Sequence, residues 1–181
     1  DRLLSRGLGD VYKRQGKAVL SSETHNTGTD RIFEVFKNTL KSLPNIIVNL
    51  QGDMPNIEPK IIKNLINYMQ QGKCEVGTLA SEIKNNFELE DENIVKVLVK
   101  EKLKEGIFSE ALDFLRVNPG QNHKTYHHVG IYAFTSIALT KYVSLKRSKL
   151  ELNRKLEQLR AMENGMSCLL YTSDAADEGH C

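Results

Sequence analysis

The chain has 181 residues, with 25 lysines and arginines against 23 aspartates and glutamates, so its formal net charge is only +2. Such a charge gives no electrostatic case for a nucleic-acid partner, and no run approaches the roughly 18 apolar residues of a membrane span. The three cysteines are too few and too scattered for a disulfide framework or a zinc site, so we expect a soluble, intracellular, globular protein.

Both ends of the chain differ in composition from its middle. Residues 1–15 show no helical or strand period, and residues 168–181 hold two of the three cysteines and no lysine or arginine. The strings VYKRQ and LYTSDAADE are typical of translated sequencing adapter. We therefore expect two non-native, disordered tails around one domain of residues 16–167, with ordinary floppy termini as the alternative.

The first half of the central region alternates strand and helix patterns. Thr29 or Asp30 would serve as the N-cap of the first helix, and Pro59 suits the first turn of the next one. In chain order, the pattern predicts a strand end, a helix, a buried strand and a second helix at residues 17–20, 30–43, 46–50 and 59–71.

The second half continues this alternation. Its connections are an acidic loop at residues 88–93, a charged turn and a Pro-Gly loop at residues 118–124. Strands alternating with helices predict an α/β fold with a mixed, mostly parallel sheet flanked by helices. The predicted strands are residues 76–83, 94–99, 111–117 and 129–134, and the predicted helices are residues 136–143 and 150–164.

Two loops carry the first candidate site residues. Residues 25–31 (HNTGTDR) form a small-residue loop that opens a helix, where N–H groups can hold an anion and Arg31 could pair with a phosphate. The spacing alone favours the plainer interpretation, a capped helix with a surface arginine. Asp53 follows the buried strand, where a carboxylate could hold Mg²⁺. A β-turn before Pro55 is an equal alternative.

The later candidates are histidines and a helical ion pair. His127 and His128 are adjacent on a strand and point to opposite faces, so they cannot easily ligate one metal. A satisfied structural histidine competes with a ligand-facing one. Glu157 and Arg160 share a helix face, where a solvated ion pair is the plainer interpretation. Leu152, Leu156 and Leu159 would form the core-facing stripe of that helix.

Six strings occur in a fixed order along the chain: HNTGTDRIFEV (25–35), IVNLQGDMP (47–55), NIVKV (93–97), ALDFLR (111–116), HVGIYAF (128–134) and YVSLKRSKLELNRKLEQLR (142–160). Together they resemble the 3-deoxy-manno-octulosonate (Kdo) cytidylyltransferase family. The resemblance implies a nucleotide-diphospho-sugar transferase-like (Rossmann-like) fold, a homodimer when complete, and Mg²⁺ as cofactor. It implies transfer of CMP from CTP to the anomeric hydroxyl of Kdo, releasing pyrophosphate, for lipopolysaccharide biosynthesis in the bacterial cytoplasm.

The resemblance also assigns roles to residues. Asp53 matches a catalytic, metal-binding aspartate, and Arg31 matches a catalytic arginine beside the nucleotide loop. A sugar carboxylate needs a cation, and an arginine is its natural bidentate partner. The nucleotide-binding positions are Thr27, Gly28, Thr29 and Gln51, and the sugar-acid-binding positions are Arg116, His128, Tyr132, Glu157 and Gln158.

The chain departs from the family pattern at four positions: Thr27 and Leu115, where the family has Ser, and Met54 and Arg154, where it has Glu. The family's triphosphate loop and second metal aspartate would lie outside residues 16–167. We therefore expect a fold that is incomplete at both ends, inactive as written and low in stability. Two other functions stay open: a cytidylyltransferase for another acidic sugar such as sialic acid, and a non-catalytic dimerisation or binding module.

Overall fold

The computed structural model describes residues 19–39, 43–52, 57–72, 74–104, 106–120 and 123–172. Contacts divide the chain into two units, Asp1–Lys41 and Ser42–Cys181, and each is described by itself. Of the strand end predicted at residues 17–20, the first two residues lie outside the described set and the other two are not in a strand.

The described part of the first unit contains one helix, α1 (Gly28–Thr39). Thr27 caps it, because its Oγ1 accepts a hydrogen bond from the backbone N–H of Asp30 at 3.2 Å while the hydroxyl donates to Asp30 Oδ2 at 2.8 Å. The predicted N-cap at Thr29 or Asp30 is therefore wrong, since the Thr27 hydroxyl already reaches a free N–H of the first turn. Residues 40–42 of the predicted helix lie outside the described residues.

The described part of the second unit contains six strands and five helices. The short helix α3 was not predicted; Asn85 caps it by accepting the backbone N–H of Glu88. No helix in the described ranges is long and apolar enough to cross a membrane. The elements are β1 (Ile46–Asn49), α2 (Pro59–Gln71), β2 (Val76–Glu82), α3 (Asn86–Glu90), β3 (Lys96–Val99), β4 (Ser109–Leu115), β5 (Lys124–Thr135), α4 (Ser136–Ser144), α5 (Lys149–Arg154), α6 (Gln158–Glu163) and β6 (Cys168–Tyr171).

The strands form one sheet in the order β1-β5-β2-β6-β4-β3, and β5 also pairs with β3. Among the described strands only β2 and β6 pair in parallel. The mixed α/β class with flanking helices is confirmed, but the predicted predominance of parallel pairing is wrong for these strands. The reason is that β5 runs antiparallel to three strands, and that the β3–β4 connection is shorter than the roughly dozen residues of a parallel crossover.

The helix predicted over residues 150–164 is two short helices. Lys155 separates α5 from α6 because its backbone is left-handed, with a φ of 56°. That conformation is uncommon for a residue other than glycine and ends a helix. Leu156 and Leu159 are buried as predicted, but Leu152 is half exposed.

The structure also differs from the expectation of a disordered tail from residue 168. Cys168–Tyr171 form β6, which lies between β2 and β4 in the sheet. Its last two residues are buried. The apolar string CLLY suits an interior strand, and the polar residues that follow it obscured that pattern in the sequence. The adapter origin of both tails stays a prediction.

The core lies on both faces of the sheet. On one face, Leu65 of α2 packs in a cluster with Ile131 and Ala133 of β5. On the other face, the Tyr132 hydroxyl donates a hydrogen bond to Gln158 of α6, and the ring of Phe134 contacts that of Tyr142 of α4. Because successive side chains of a strand point to opposite faces, β5 contributes to both layers and lies between them.

Gly77 of β2 allows α2 to lie close to the sheet. A Cβ at this position would be 2.6 Å from Met69 Sδ and 3.2 Å from Leu65 Cδ1. The missing side chain therefore makes room for two buried residues of the helix.

Cys74 and Cys168 are free and buried. Burial raises the pKa of the Cys74 thiol to about 11 and that of Cys168 to about 12. Because the thiolate is the reactive form, we expect iodoacetamide at about pH 8 to leave both unmodified in the folded protein and to modify both after unfolding. Mass spectrometry of the Cys181→Ser variant counts the labels, and rapid labelling of the folded protein would contradict this prediction.

Candidate functional site

Side-chain hydrogen bonds hold the loop that precedes α1. Glu34 Oε2 accepts the backbone N–H of Ser22 at 3.0 Å and contacts Nε2 of His25. The hydrogen bond from His25 is the largest cause that lowers the pKa of Glu34 from its ordinary value. Arg31 is exposed, and its NH1 donates to Ser21 Oγ at 2.9 Å. Locally, this is a capped helix start with a surface arginine.

Three predicted nucleotide-binding residues form the cap and first turn of α1. The hydroxyl of Thr27 is engaged with Asp30, Gly28 is exposed, and Thr29 is buried. The glycine leaves the backbone of the first turn open to close approach, where the N–H groups of a helix start can meet an anion.

The remaining nucleotide and metal predictions fall after β1. Gln51 lies just beyond the C-terminal end of β1 and is half-buried. Asp53, the predicted catalytic and metal-binding residue, lies outside the described residues. Within the described ranges, no group of three or more His, Cys, Asp or Glu side chains could hold a metal ion. The Mg²⁺ prediction therefore depends on Asp53 and its place after a strand.

A register shift in the β2–β5 pairing lies at the centre of the second unit. The shift falls between Thr78 and Leu79 of β2. The Thr78 hydroxyl donates to the carbonyl of Ile131 at 2.7 Å, and its oxygen lies 2.9 Å from Nε2 of His128. Because the hydroxyl proton goes to the carbonyl, the imidazole donates to the hydroxyl and carries its proton on Nε2. Irregular pairing of this kind often directs side chains into sites.

His128 is a neutral imidazole in an aromatic setting. It is buried and His127 is half-buried, in agreement with opposite faces. Its ring lies 4.8 Å from that of Phe114 and 5.5 Å from that of Tyr132. Burial lowers the pKa of His128 to about 3, with a smaller effect from the neighbouring His127. Near neutral pH this histidine therefore serves as an uncharged hydrogen-bonding group.

The buried His128 should make stability fall between about pH 7 and pH 5. The histidine has a pKa of about 6.5 when unfolded and about 3 when folded, so the unfolded state binds more protons in this range. The contribution is present above the unfolded value and is lost as the pH falls, by about 2 kcal/mol at pH 5. Urea unfolding at pH 7 and at pH 5 measures this loss of stability. His128→Gln should lack this fall, whereas His123→Gln, at an exposed site, should retain it; equal behaviour of the two variants would contradict the prediction.

Tyr132 and Gln158 meet beside this histidine. The Tyr132 hydroxyl donates to Gln158 Oε1 at 3.0 Å, and both residues are buried. Burial, followed by the nearby Glu157, raises the pKa of Tyr132 well above its ordinary value, so the phenol keeps its proton. Nε2 of Gln158 is buried with no hydrogen-bond partner among the described residues. Such a donor costs free energy unless a ligand or a water provides an acceptor.

The other two predicted sugar-acid residues are held by different contacts. Glu157 is half-buried before α6, and its carbonyl accepts the hydroxyl of Tyr142 at 2.9 Å. Arg116 donates through NH1 to the carbonyl of Glu92 at 3.1 Å, and its own carbonyl accepts Nζ of the buried Lys96 at 3.0 Å. Within the described part of the chain, no hydrogen bond joins Arg116 to the Tyr132–Gln158 pair.

A buried ion pair next to the site was not predicted. Arg160 binds both carboxylate oxygens of Glu151, and both side chains are almost fully buried. Arg160 was expected on a solvated face with Glu157, and its burial corrects that interpretation. The spacing of Ser148 and Glu151 was an available signal, because it forms a capping box. Nothing in the sequence marked Thr78.

Arg154, where the family pattern has Glu, belongs to a second ion pair. Its NH1 donates to Asp113 Oδ1 at 2.6 Å and to the carbonyl of Phe114 at 2.9 Å. This departure is therefore matched by an acidic partner on β4.

A solved structure of low sequence identity has a similar fold. The crystal structure of apo UDP-glucose pyrophosphorylase has a TM-score of 0.56 at 17% identity, covering 87% of this chain and 55% of that chain. At this identity the likeness shows the fold alone. The predicted nucleotide-diphospho-sugar transferase-like fold is confirmed.

More similar proteins define the family. Residues 8–168 match the family model described as Cytidylyltransferase. The chain is 38% identical over 158 residues to the 3-deoxy-manno-octulosonate cytidylyltransferase of Paramagnetospirillum magneticum (strain ATCC 700264 / AMB-1), a match that covers 86% of this chain. A solved CMP:2-keto-3-deoxy-manno-octonic acid synthetase, complexed with CTP, has a TM-score of 0.78 at 32% identity and covers 93% of this chain and 68% of that one. The chain belongs to the cytidylyltransferase family, and its resemblance to the Kdo cytidylyltransferases is confirmed. It spans 64% of the length of the Paramagnetospirillum relative.

Proposed function

We propose that the protein transfers CMP from CTP to the anomeric hydroxyl of Kdo, which gives CMP-Kdo and pyrophosphate for lipopolysaccharide biosynthesis. The name of the relative and the CTP complex of the solved synthetase support this proposal. The observation that carries it locally is the buried Nε2 of Gln158, which has no partner among the described residues. A polyhydroxylated acid would provide the acceptor that this donor needs.

The chemistry of the Tyr132–Gln158 region suits such an acid. His128 and Tyr132 are uncharged near neutral pH, so they can hydrogen-bond sugar hydroxyls without burying a net charge. Glu157 would accept a sugar hydroxyl, and the half-buried Arg116 would pair with the carboxylate. A site built from specific donors and acceptors discriminates strongly against ligands that lack their counterparts.

For the CTP side, we propose a role for each residue singly, as the family resemblance assigns it. Arg31 would bind a phosphate, and Asp53 would hold Mg²⁺, which prefers carboxylate oxygens and would neutralise phosphate charge when bound. Phosphoryl transfer depends mainly on positioning and charge stabilisation, so the chain's own residues would chiefly bind and orient the reactants. The nucleotide would contact Thr27, Gly28, Thr29 and Gln51. We also propose that the protein is a homodimer and is located in the cytoplasm. Sedimentation velocity tests whether it is a dimer.

Binding measurements test the proposal without depending on turnover. Isothermal titration calorimetry should show that the chain binds Kdo and, separately, CTP with Mg²⁺. Gln158→Glu preserves the shape of the side chain but replaces its donor with an oxygen that repels an acid. It should weaken Kdo binding by about tenfold or more while CTP binding is unchanged. Gln70→Glu, at an exposed amide of α2, is the matched control and should change neither affinity.

The alternatives give different results in the same assay. Tighter binding of sialic acid than of Kdo would identify a cytidylyltransferase for another acidic sugar. Absence of binding to either acid and to CTP would favour an assembly module. If Asp53→Asn leaves the CTP affinity in Mg²⁺ unchanged, the metal assignment is wrong.

A further inference from the structure

The Arg160–Glu151 ion pair combines complete burial with a rigid geometry. Arg160 donates through Nε to Glu151 Oε2 at 2.9 Å and through NH2 to Glu151 Oε1 at 2.8 Å. The two side chains are only 2% and 1% exposed. A guanidinium bound through two parallel N–H groups has its plane and direction fixed, which a lysine could not achieve.

This ion pair bridges the break between α5 and α6. Glu151 is itself fixed at the start of α5 by the capping box, in which its Oε2 accepts the backbone N–H of Ser148 at 3.2 Å and its own N–H donates to Ser148 Oγ at 3.1 Å. The half-exposed Arg147 adds a hydrogen bond to Oε1 at 2.8 Å from the outer side. Each of the two helices has six residues, too few to be stable alone, and the left-handed Lys155 separates them. The orientation of α6 must therefore come from side-chain contacts.

Further contacts connect the pair to the residues around Gln158. The guanidinium of Arg160 lies 4.6 Å from the centre of the Tyr142 ring, and the hydroxyl of Tyr142 donates to the carbonyl of Glu157 at 2.9 Å. Contacts on both sides of Gln158 thus hold the chain, through the carbonyl of Glu157 and through the guanidinium of Arg160. The Gln158 side chain itself is held through Oε1 by Tyr132, and its Nε2 has no acceptor among the residues that the structure describes.

We propose that Arg160 and Glu151 are positioning residues for sugar-acid binding: their ion pair orients α6 so that the amide of Gln158 presents its donor to the ligand. This inference rests on the proposed function. Stability alone does not account for the pair, because well-packed apolar residues often replace a buried ion pair at no cost. The fixed orientation of the guanidinium fork is what apolar side chains would not reproduce.

The test uses a double variant that removes both buried charges. Glu151→Leu with Arg160→Met is expected to fold, since neither buried charge is left without its partner. We expect its affinity for Kdo to fall about tenfold or more, as for loss of a specific hydrogen bond, with the CTP affinity unchanged. Arg147→Gln is the matched control, because it removes another hydrogen bond of Glu151 and leaves Arg160 in place. It should bind Kdo as the unmodified chain does.

A second measurement separates this inference from the proposed function. The side-chain amide signal of Gln158 in a ¹⁵N-labelled sample is assigned by its disappearance in Gln158→Glu. Positioning predicts that this signal shifts in the double variant and stays in place in Arg147→Gln. If the unmodified chain does not bind Kdo, the proposed function fails while the shift still tests the positioning. Unchanged Kdo affinity, or an unshifted amide signal in the folded double variant, would overturn the inference.

Discussion

Replacing Glu151 by leucine alone should lower the free energy of unfolding by about 3–5 kcal/mol, the usual cost of breaking a buried ion pair by removing one partner. The substitution leaves the guanidinium of Arg160 in the interior without the carboxylate that neutralises it. It also removes the acceptor for the backbone N–H of Ser148. Because a domain of this size is stable by only about 5–15 kcal/mol, the change should be obvious in urea unfolding followed by circular dichroism.

Two comparisons define this effect. Arg147→Gln should cost at most about 1 kcal/mol, because Arg147 is 35% exposed and its charge can remain hydrated. Adding Arg160→Met to Glu151→Leu should restore most of the lost stability. A single Glu151→Leu variant as stable as the unmodified chain would show that the interior tolerates the unpaired guanidinium.

Protonation of the Glu151 carboxylate at low pH should destabilise the fold. Burial alone would raise the pKa of Glu151, but the hydrogen bonds from Arg160 and Arg147 outweigh burial and hold it below the ordinary value. Its stabilising contribution is therefore present above about pH 4.3, the unfolded value, and is lost as the pH falls further. The contribution of His128 also continues to fall down to about pH 3, its folded pKa, so the two effects add below about pH 4.3.

Phe114→Ala should cost about 3–5 kcal/mol, as expected for removal of a buried phenylalanine. The ring is fully buried and meets that of His128 edge-on, with centroids 4.8 Å apart and an angle of 77° between the planes. Its loss would leave a cavity beside the imidazole that water can enter. Burial keeps His128 neutral, so the added water would favour its protonated form. We therefore also expect the pKa of His128, followed by NMR, to rise towards its ordinary value.

Phe87→Ala is the matched control for this cavity. Phe87 is 79% exposed on α3, so removing its ring should change the free energy of unfolding by no more than about 0.5 kcal/mol. It should leave the His128 titration unchanged. A comparable loss in both variants would mean that the Phe114 ring has no special role in the interior.

Elements governed by local spacing were predictable from the sequence. The bounds of α2 were predicted correctly because Pro59 fixes its start and apolar residues recur at helical intervals after it. The break at Lys155 was not predictable, because the leucine spacing continues through it and a lysine seldom adopts the left-handed conformation. Local patterns also could not predict whether the strands pair in parallel or antiparallel. That direction depends on contacts between distant segments, since β5 pairs with three strands from separate regions of the chain.

The candidate site was predicted in part. The resemblance singled out Tyr132 and Gln158, which the structure joins by a hydrogen bond. Two residues that hold their neighbours were not singled out: Thr78 bonds to His128 and Glu151 binds Arg160. Thr78 lies far away in sequence, and Glu151 lies on the opposite side of a helix break. A threonine in a buried strand and a glutamate in a helix are both common, so only the three-dimensional contacts reveal what these two residues do.

The close approach of α2 to β2 has an evolutionary consequence. Because a methyl group at position 77 would collide with Met69 Sδ, the two positions share one small volume although they lie on different elements. Alanine at position 77 requires a shorter or differently oriented side chain at position 69. Among related sequences, substitutions at positions 69 and 77 should therefore be correlated. Such co-variation would reflect how closely α2 packs against the sheet.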